Sequence, residues 1–253
     1  MKLKHFPFIL CLLFVSTAFS QDAKAIFEKA ADRLLLNNME LSIEVNEIRK
    51  NGRVKEKAFD VVLGKFDDAD RIKMYMQKPE RAKGVTIVVT NAPDDTGLIE
   101  ILTPANGKIR KMKATPKNLE LVGSGGFSSN YLNVDPEELN VTYLGKENSE
   151  GRLYTKLEVQ EKMNPEQGKA QILIDVETYD IVKIISFTTD GTLKDETTFS
   201  DFKTIAGTNK VYPRRVVTIQ AKDASKTEIE IFKVKSRPNL KKSDFMLQNS
   251  PKN

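Results

Sequence analysis

LSIEVNEIRKNGRVKEKAFDVVLGKFDDADRIKMYM, residues 41–76, decides the fold class. Leu41, Ile43 and Val45 alternate with Ser42, Glu44 and Asn46, and Phe59, Val61 and Leu63 resume the alternation after Asn51-Gly52. A period of two sends successive side chains to opposite faces, so both runs read as half-buried strands, and Asn-Gly between them reads as a two-residue hairpin turn. Phe66-Asp67-Asp68-Ala69-Asp70 supplies the next turn, and Ile72, Met74 and Met76 line one face of a third strand. The acidic turn lacks the glycine and distal glutamate of a calcium loop and reads as solvated. The stretch is the start of an antiparallel meander.

Upstream, the period is helical. Ala23, Ile26, Phe27, Ala30 and Leu34 fall at three- and four-residue spacing, which predicts a helix over Asp22–Leu36 with Asp22 as N-cap and Asn37-Asn38 at its end. Before it, Lys2 and Lys4, the apolar run Pro7 to Phe19 and the small residues of Ala18-Phe19-Ser20 make residues 1–20 a secretory signal, cleaved before Gln21. The apolar run is too short to span a membrane, which takes roughly 20 apolar residues. Residues 21–253 then form one domain.

Downstream the strands continue. Val85 to Thr90 and Leu98 to Leu102 flank a turn at Pro93-Asp94-Asp95-Thr96-Gly97. Later apolar positions are Leu153, Leu157 and Val159, then Ala170, Ile172, Ile174 and Val176, then Val182 and Ile184, then Val217 and Ile219, and finally Ile229 and Ile231. Glu177-Thr178-Tyr179-Asp180 and Thr189-Asp190-Gly191-Thr192 are turns between them, and Asp135-Pro136-Glu137-Glu138 starts a short helix. Roughly ten strands with one long helix to cover them favour a sheet that curls. The fold class is mainly β, of α+β type: a curved antiparallel sheet forming an incomplete half-barrel, with the amino-terminal helix in or across it and a short helical lid.

Composition excludes much chemistry. Cys11 and His5, the only cysteine and histidine, both lie in the signal, and the chain has no tryptophan. The exported protein therefore has neither the usual base and metal ligand nor a thiol, which removes hydrolase triads, zinc sites and thiol redox chemistry in their common forms. Cys11 is followed by Leu12-Leu13-Phe14, unlike a lipidated cysteine. Losing Lys2 and Lys4 and no acidic residue takes the formal charge from +5 to +3, and interspersed charges of both signs argue against nucleic acid. No acidic pair stands apart from turn chemistry, so the chain is read as non-enzymatic, without metal or cofactor.

Three words between Lys78 and Pro136 carry a family resemblance: KPERAKG (78–84), ILTPANGKIRKM (101–112) and LVGSGGFSSNYLNVDP (121–136). In order and spacing they resemble the signature of the outer-membrane lipoprotein-sorting proteins, the periplasmic lipoprotein-carrier group of Gram-negative bacteria. The turn carries Leu102-Thr103-Pro104 where that group has Leu-Pro, and Gly125-Gly126 precede Phe127 where it often has an acid. The resemblance implies a half-barrel with a helical lid, a periplasmic location and a cargo of acyl chains.

An apolar sheet face is a container for such a cargo, with Met74, Met76, Ile87, Val89, Ile99, Ile101, Met112 and Phe127 as lining candidates, the methionines because they adapt to flexible chains. The same residues would serve as an ordinary core. Lys78, Arg81, Lys83, Lys108, Arg110, Lys111 and Lys113 are candidates for a rim that meets headgroups or an acidic partner. Because Ile109 and Met112 are three apart, a bulge or a lysine-rich edge strand gives the same pattern without a ligand. Gly123, Gly125 and Gly126 lie in a loop read as the gate. The expected function is a periplasmic carrier of lipoprotein or other lipid acyl chains towards the outer membrane, receiving them from an inner-membrane transporter and delivering them to an outer-membrane acceptor, with only transient membrane contact. The alternative is a non-catalytic accessory protein of an envelope export or assembly complex.

Overall fold

The computed structural model describes residues 15–34, 38–67, 69–91, 97–115, 118 and 136–247, with side chains from residue 23 onward. Among the described residues thirteen antiparallel strands follow an amino-terminal α-helix, and their order is β6-β5-β4-β3-β2-β1-β13-β12-β11-β10-β9-β8-β7, so the sheet stays open. The mainly β expectation of one open antiparallel sheet with an amino-terminal helix is met. The chain divides into two compact units, residues 1–33 with 130–198 and residues 34–129 with 199–253.

The first unit holds α1 (Val15–Arg33), β7 (Leu139–Ser149), β8 (Arg152–Glu161), β9 (Lys169–Asp175), β10 (Ile181–Phe187) and the start of β11 (Leu193–Thr204). The helix starts before the predicted Asp22 and stops before Leu36. Upstream it runs through the predicted cleavage position, which puts Asp22 inside the helix and not at its cap; at the other end Leu34 leaves it to bridge Val211. Ala23, Phe27 and Ala30 are fully buried, and α1 packs on β7. Arg33 of its last turn reaches Asp180 at 2.7 Å, and the Lys29 ammonium sits 3.6 Å from the Tyr179 ring centre. Behind these residues Leu157, Val159, Ala170, Ile172 and Ile174 are fully buried. Leu153, predicted as core, is 41 % exposed, because it sits at the start of β8 opposite Asn148 in the outer part of the β7–β8 hairpin.

The β9–β10 turn was legible. The Asp175 carboxylate accepts hydrogen bonds from the backbone N–H groups of Glu177 (2.9 Å) and Thr178 (3.0 Å), the local bond that makes aspartate a turn former.

The second unit holds β1 (Met39–Ile48), β2 (Val54–Phe66), β3 (Ala69–Lys78), β4 (Thr86–Asn91), β5 (Leu98–Thr103), β6 (Lys108–Lys113), the end of β11, β12 (Val211–Gln220), β13 (Lys226–Ser236) and a 3₁₀ turn at Lys242–Phe245. The β1–β2 connection differs from the predicted two-residue turn. Gly52 N–H bonds to the Arg49 carbonyl at 2.8 Å and Arg49 N–H to the Arg53 carbonyl at 3.0 Å, which leaves Lys50, Asn51 and Gly52 as a three-residue loop. A two-residue type I′ turn needs φ > 0 at both central residues, whereas here Gly52 alone has positive φ, at 77°, and the Asn51 side chain accepts the Arg53 N–H.

In β12 the buried residues are Val211 and Val216, the latter opposite Ile229, and not the predicted Val217 and Ile219, which lie one position out of phase with Val216; Ile219 is 45 % exposed. A one-residue shift moves a side chain to the other face of the sheet. Sequence periodicity gave no sign of the carboxyl-terminal segment. Leu240 and Phe245 pack with Val88, Val62, Phe66 and Leu247 on one face of the second unit's sheet, tied by Lys242 to Asp67 at 2.5 Å and by Lys73 to the Asp244 carbonyl at 2.7 Å. Gly64 makes room for it, since a Cβ there would lie 3.0 Å from the Phe245 ring and 2.9 Å from that of Phe66.

The gate glycines Gly123, Gly125 and Gly126, the lining candidate Phe127, the capping Asp135 and most of the turn at Pro93–Gly97 lie outside the described residues. Of the predicted short helix, Pro136–Glu138 is a 3₁₀ turn.

Candidate functional site

Strand register in the second unit builds one continuous apolar face. One row runs Leu41, Val61, Met74, Ile87, Ile101 across β1 to β5, and the next runs Met39, Leu63, Ile72, Val89, Ile99, Met112 across β1 to β6. Ile43 continues the face to Phe59 on one side and Ile231 on the other, and Val45 continues it through Ile229 to Val216. Met74 (1 % exposed), Ile87, Val89 and Ile99 (0 %) are buried in this cluster, with Met76, Ile101 and Met112 packed against it. The predicted lining residues on described strands thus share one face. Every residue of the cluster lies on a strand or in the loop beside one.

Charged residues close the two ends of this face. At one end Lys57 stands beside Val45 in register, is 7 % exposed and pairs with Glu47, whose other oxygen is 3.8 Å from Lys55. A buried ammonium is held only with such a partner. At the other end Asp70 pairs in register with Lys65, and burial pushes its carboxyl above the usual carboxylate value of 3.8, with Lys65 opposing.

Of the predicted rim residues Lys78, Arg81, Lys83 and Lys108 lie at one end of the sheet, at the β3–β4 and β5–β6 connections, whereas Arg110, Lys111 and Lys113 run away from it along β6. β6 pairs with β5 without a bulge and ends the strand order, so the broken alternation of Lys108 to Lys113 belongs to an edge strand. Arg110 lies opposite Ile101 and ends the first apolar row, and Lys108 lies on the same side of the strand. Lys111 and Lys113 alternate to the other side, Lys111 paired with Glu100 at 2.8 Å. Lys78 pairs with Glu44 at 2.8 Å, which holds its ammonium above the usual lysine value; Lys83 lies 3.6 Å from Glu80, and Arg81 is exposed. The loops KPERAKG and TPANGK meet where a Cβ on Gly84 would come 3.1 Å from Pro104.

Two surface clefts lie away from the apolar face. One of about 330 Å³ is lined in the first unit by Ile26, Tyr143, Thr155, Asp175 and Tyr179 among others. The other, about 360 Å³ in the second unit, lies among the ion pairs of Arg214 with Glu230 and Arg215 with Glu228. The charged walls of the second do not suit acyl chains. Among the described residues no group of histidine, cysteine, aspartate and glutamate is arranged to hold a metal, and no helix is long and apolar enough to cross a membrane.

An open antiparallel sheet with an amino-terminal helix and an apolar face defines the class, and solved structures share it. A DUF1329 family protein from Desulfovibrio piger superposes with a TM-score of 0.76 at 15 % identity, covering 91 % of this chain and 99 % of that one. A domain from Vibrio parahaemolyticus described as an outer membrane lipoprotein-sorting protein domain gives 0.70 at 13 % identity, covering 89 % and 97 %. A LolA superfamily protein from Nitrosomonas europaea gives 0.63 at 14 %, covering 88 % and 97 %. At such identities the likeness is one of fold. The chain belongs to the family whose model, described as "Uncharacterized protein", matches residues 68–249. No curated protein matches it.

Proposed function

We propose that this protein is an exported, non-catalytic carrier, a single domain after loss of residues 1–20, that shelters the acyl chains of a lipoprotein or another lipid and passes them towards the outer membrane. The observation that carries the reading is the continuous apolar face of β1 to β6, which places Met39, Met74, Met76 and Met112 among branched residues. Methionine has three rotatable bonds and a polarisable sulfur, and it refills irregular space as a flexible chain enters or leaves. Each methylene moved from water to such a face is worth about 0.8 kcal/mol, so release requires an acceptor that is equally apolar. The fold shared with lipoprotein-sorting structures supports the same class of cargo. Because Met74 and Ile99 are buried, loading requires the packing over them to open.

Native mass spectrometry of the protein purified from periplasm without detergent, with solvent extraction of whatever accompanies it, tests the proposal. An acylated species near one per chain is the expected result, and Met76→Arg should remove it while the fold survives. An apo mass together with no uptake of added lipid overturns the carrier reading and favours an accessory protein of an envelope complex.

A further inference from the structure

Antiparallel strands send alternate connections to opposite ends of a sheet, and in the second unit this gathers basic residues at one of them. The β1–β2, β3–β4 and β5–β6 loops share one end, and the pairing of Ile48 with Lys226 puts the β12–β13 loop beside them. Arg49, Lys50, Arg53, Arg81 and Lys108 are exposed there, and among the described residues their side chains make no hydrogen bond or ion pair. Lys83 and Lys222 add to them beside Glu80 and Asp223. The β2–β3 turn at the other end carries Asp67, paired with Lys242, and Asp70, in register with Lys65. The cationic end also carries aliphatic side chains: the register row Val54, Ile48, Lys226, Ile219 holds Val54 at 54 % exposure and Ile219 at 45 %.

We propose that this end of the second unit docks on an anionic lipid surface, with its arginines and lysines at the headgroups and Val54 and Ile219 entering the interface. Cations without partners call for an anionic surface. Scattered aliphatics on hairpin tips suit a bilayer interface, which accepts single apolar side chains without shape complementarity, whereas a stable protein partner needs a packed patch of about 800 Å². Val54 and Ile219 lie on a separate face from Met74 and Ile99, so docking does not require that the acyl-chain reading be right.

The test titrates the chain as purified with vesicles of phosphatidylcholine alone and with roughly one-third phosphatidylglycerol, by co-sedimentation at about 0.1 M salt, where the screening length is near 10 Å. At about 1 kcal/mol per basic residue, Arg49→Gln, Lys50→Gln and Arg53→Gln together should weaken binding to the anionic vesicles about 100-fold, as should high salt in part. Comparison with the unaltered chain cancels any contribution of residues 1–20, and unchanged circular dichroism certifies the fold. Val54→Ser with Ile219→Ser should weaken binding by a smaller factor that salt does not alter. Equal binding to both vesicle types, no binding to the anionic ones, or binding indifferent to the triple substitution overturns the proposal, and capture of an acidic protein without vesicle binding does so as well.

Discussion

The first unit and the apolar face of the second solve the same problem with different side chains. In the first, α1 lays Ala23, Phe27 and Ala30 on β7 over a floor of Leu157, Val159, Ala170, Ile172 and Ile174, all fully buried, and Arg33 and Lys29 fasten the helix to Asp180 and Tyr179. Branched and small residues have few rotamers and specify one shape. The second unit places four of the chain's seven methionines on or against its apolar face, where the described cluster is made of strand and adjoining loop residues. On the carrier reading one surface stays shut and the other rearranges.

Phe27→Ala should have the largest effect. It opens a void under the helix and should cost about 3–5 kcal/mol in denaturant unfolding, since the fastened helix cannot collapse into the space. If the loss is below about 1.5 kcal/mol, the level expected for exchanging similar apolar side chains, the first unit is as pliant as the second and the contrast fails.

Gly64→Ala comes next, at about 1–3 kcal/mol, because the added methyl meets the Phe66 and Phe245 rings and forces overpacking. Thermal unfolding gives the size. Limited proteolysis should show the segment after Arg237 cut earlier, and unaltered cleavage would mean that Phe245 does not hold it. A rigid back and a pliant front then belong to one sheet.

Met74→Leu, Met76→Leu and Met112→Leu should each change stability by less than about 1.5 kcal/mol while narrowing the range of acyl lengths bound, because branched leucine keeps the volume and loses the adaptability. Competition among fatty-acyl probes of graded length measures this. An unchanged range would make the methionines ordinary core.

How far the sequence revealed these differences can be followed residue by residue. Alternation over Leu41–Met76 sufficed for the strands, since a half-buried strand writes its period directly into hydrophobicity. Turns bonded by their own side chains, such as Asp175, were equally plain. The β12 phase escaped because Val216, Val217 and Ile219 are all apolar and only pairing with Ile229 selects one. Arg49, Lys50 and Arg53 flank a turn and stand in the sequence as a basic run, but what that run meets depends on three other loops that end beside it. Phe245 packs on Val88 and Gly64 across most of the chain, a contact with no local signature.

The smallest expected effect concerns the acidic end of the apolar face. Burial raises the Asp70 carboxyl above 3.8, so the folded state holds its proton more tightly than the unfolded chain does. Its contribution to stability is therefore fullest below 3.8 and is lost as pH rises through the raised value; at neutral pH an ionised carboxylate lies against the apolar face at a cost. Asn cannot ionise and nearly matches the neutral acid in shape, so Asp70→Asn should raise the melting temperature at pH 7 and change it little below pH 3.8, where the folded state holds the Asp70 proton. Equal gains at both pH values would trace the effect to local packing, and a loss at pH 7 would show that attraction to Lys65 outweighs burial. In that last case the two ends of the face would be alike, each closed by a favourable ion pair as Lys57 and Glu47 close the other, and the face would be sealed as deliberately as the core under α1.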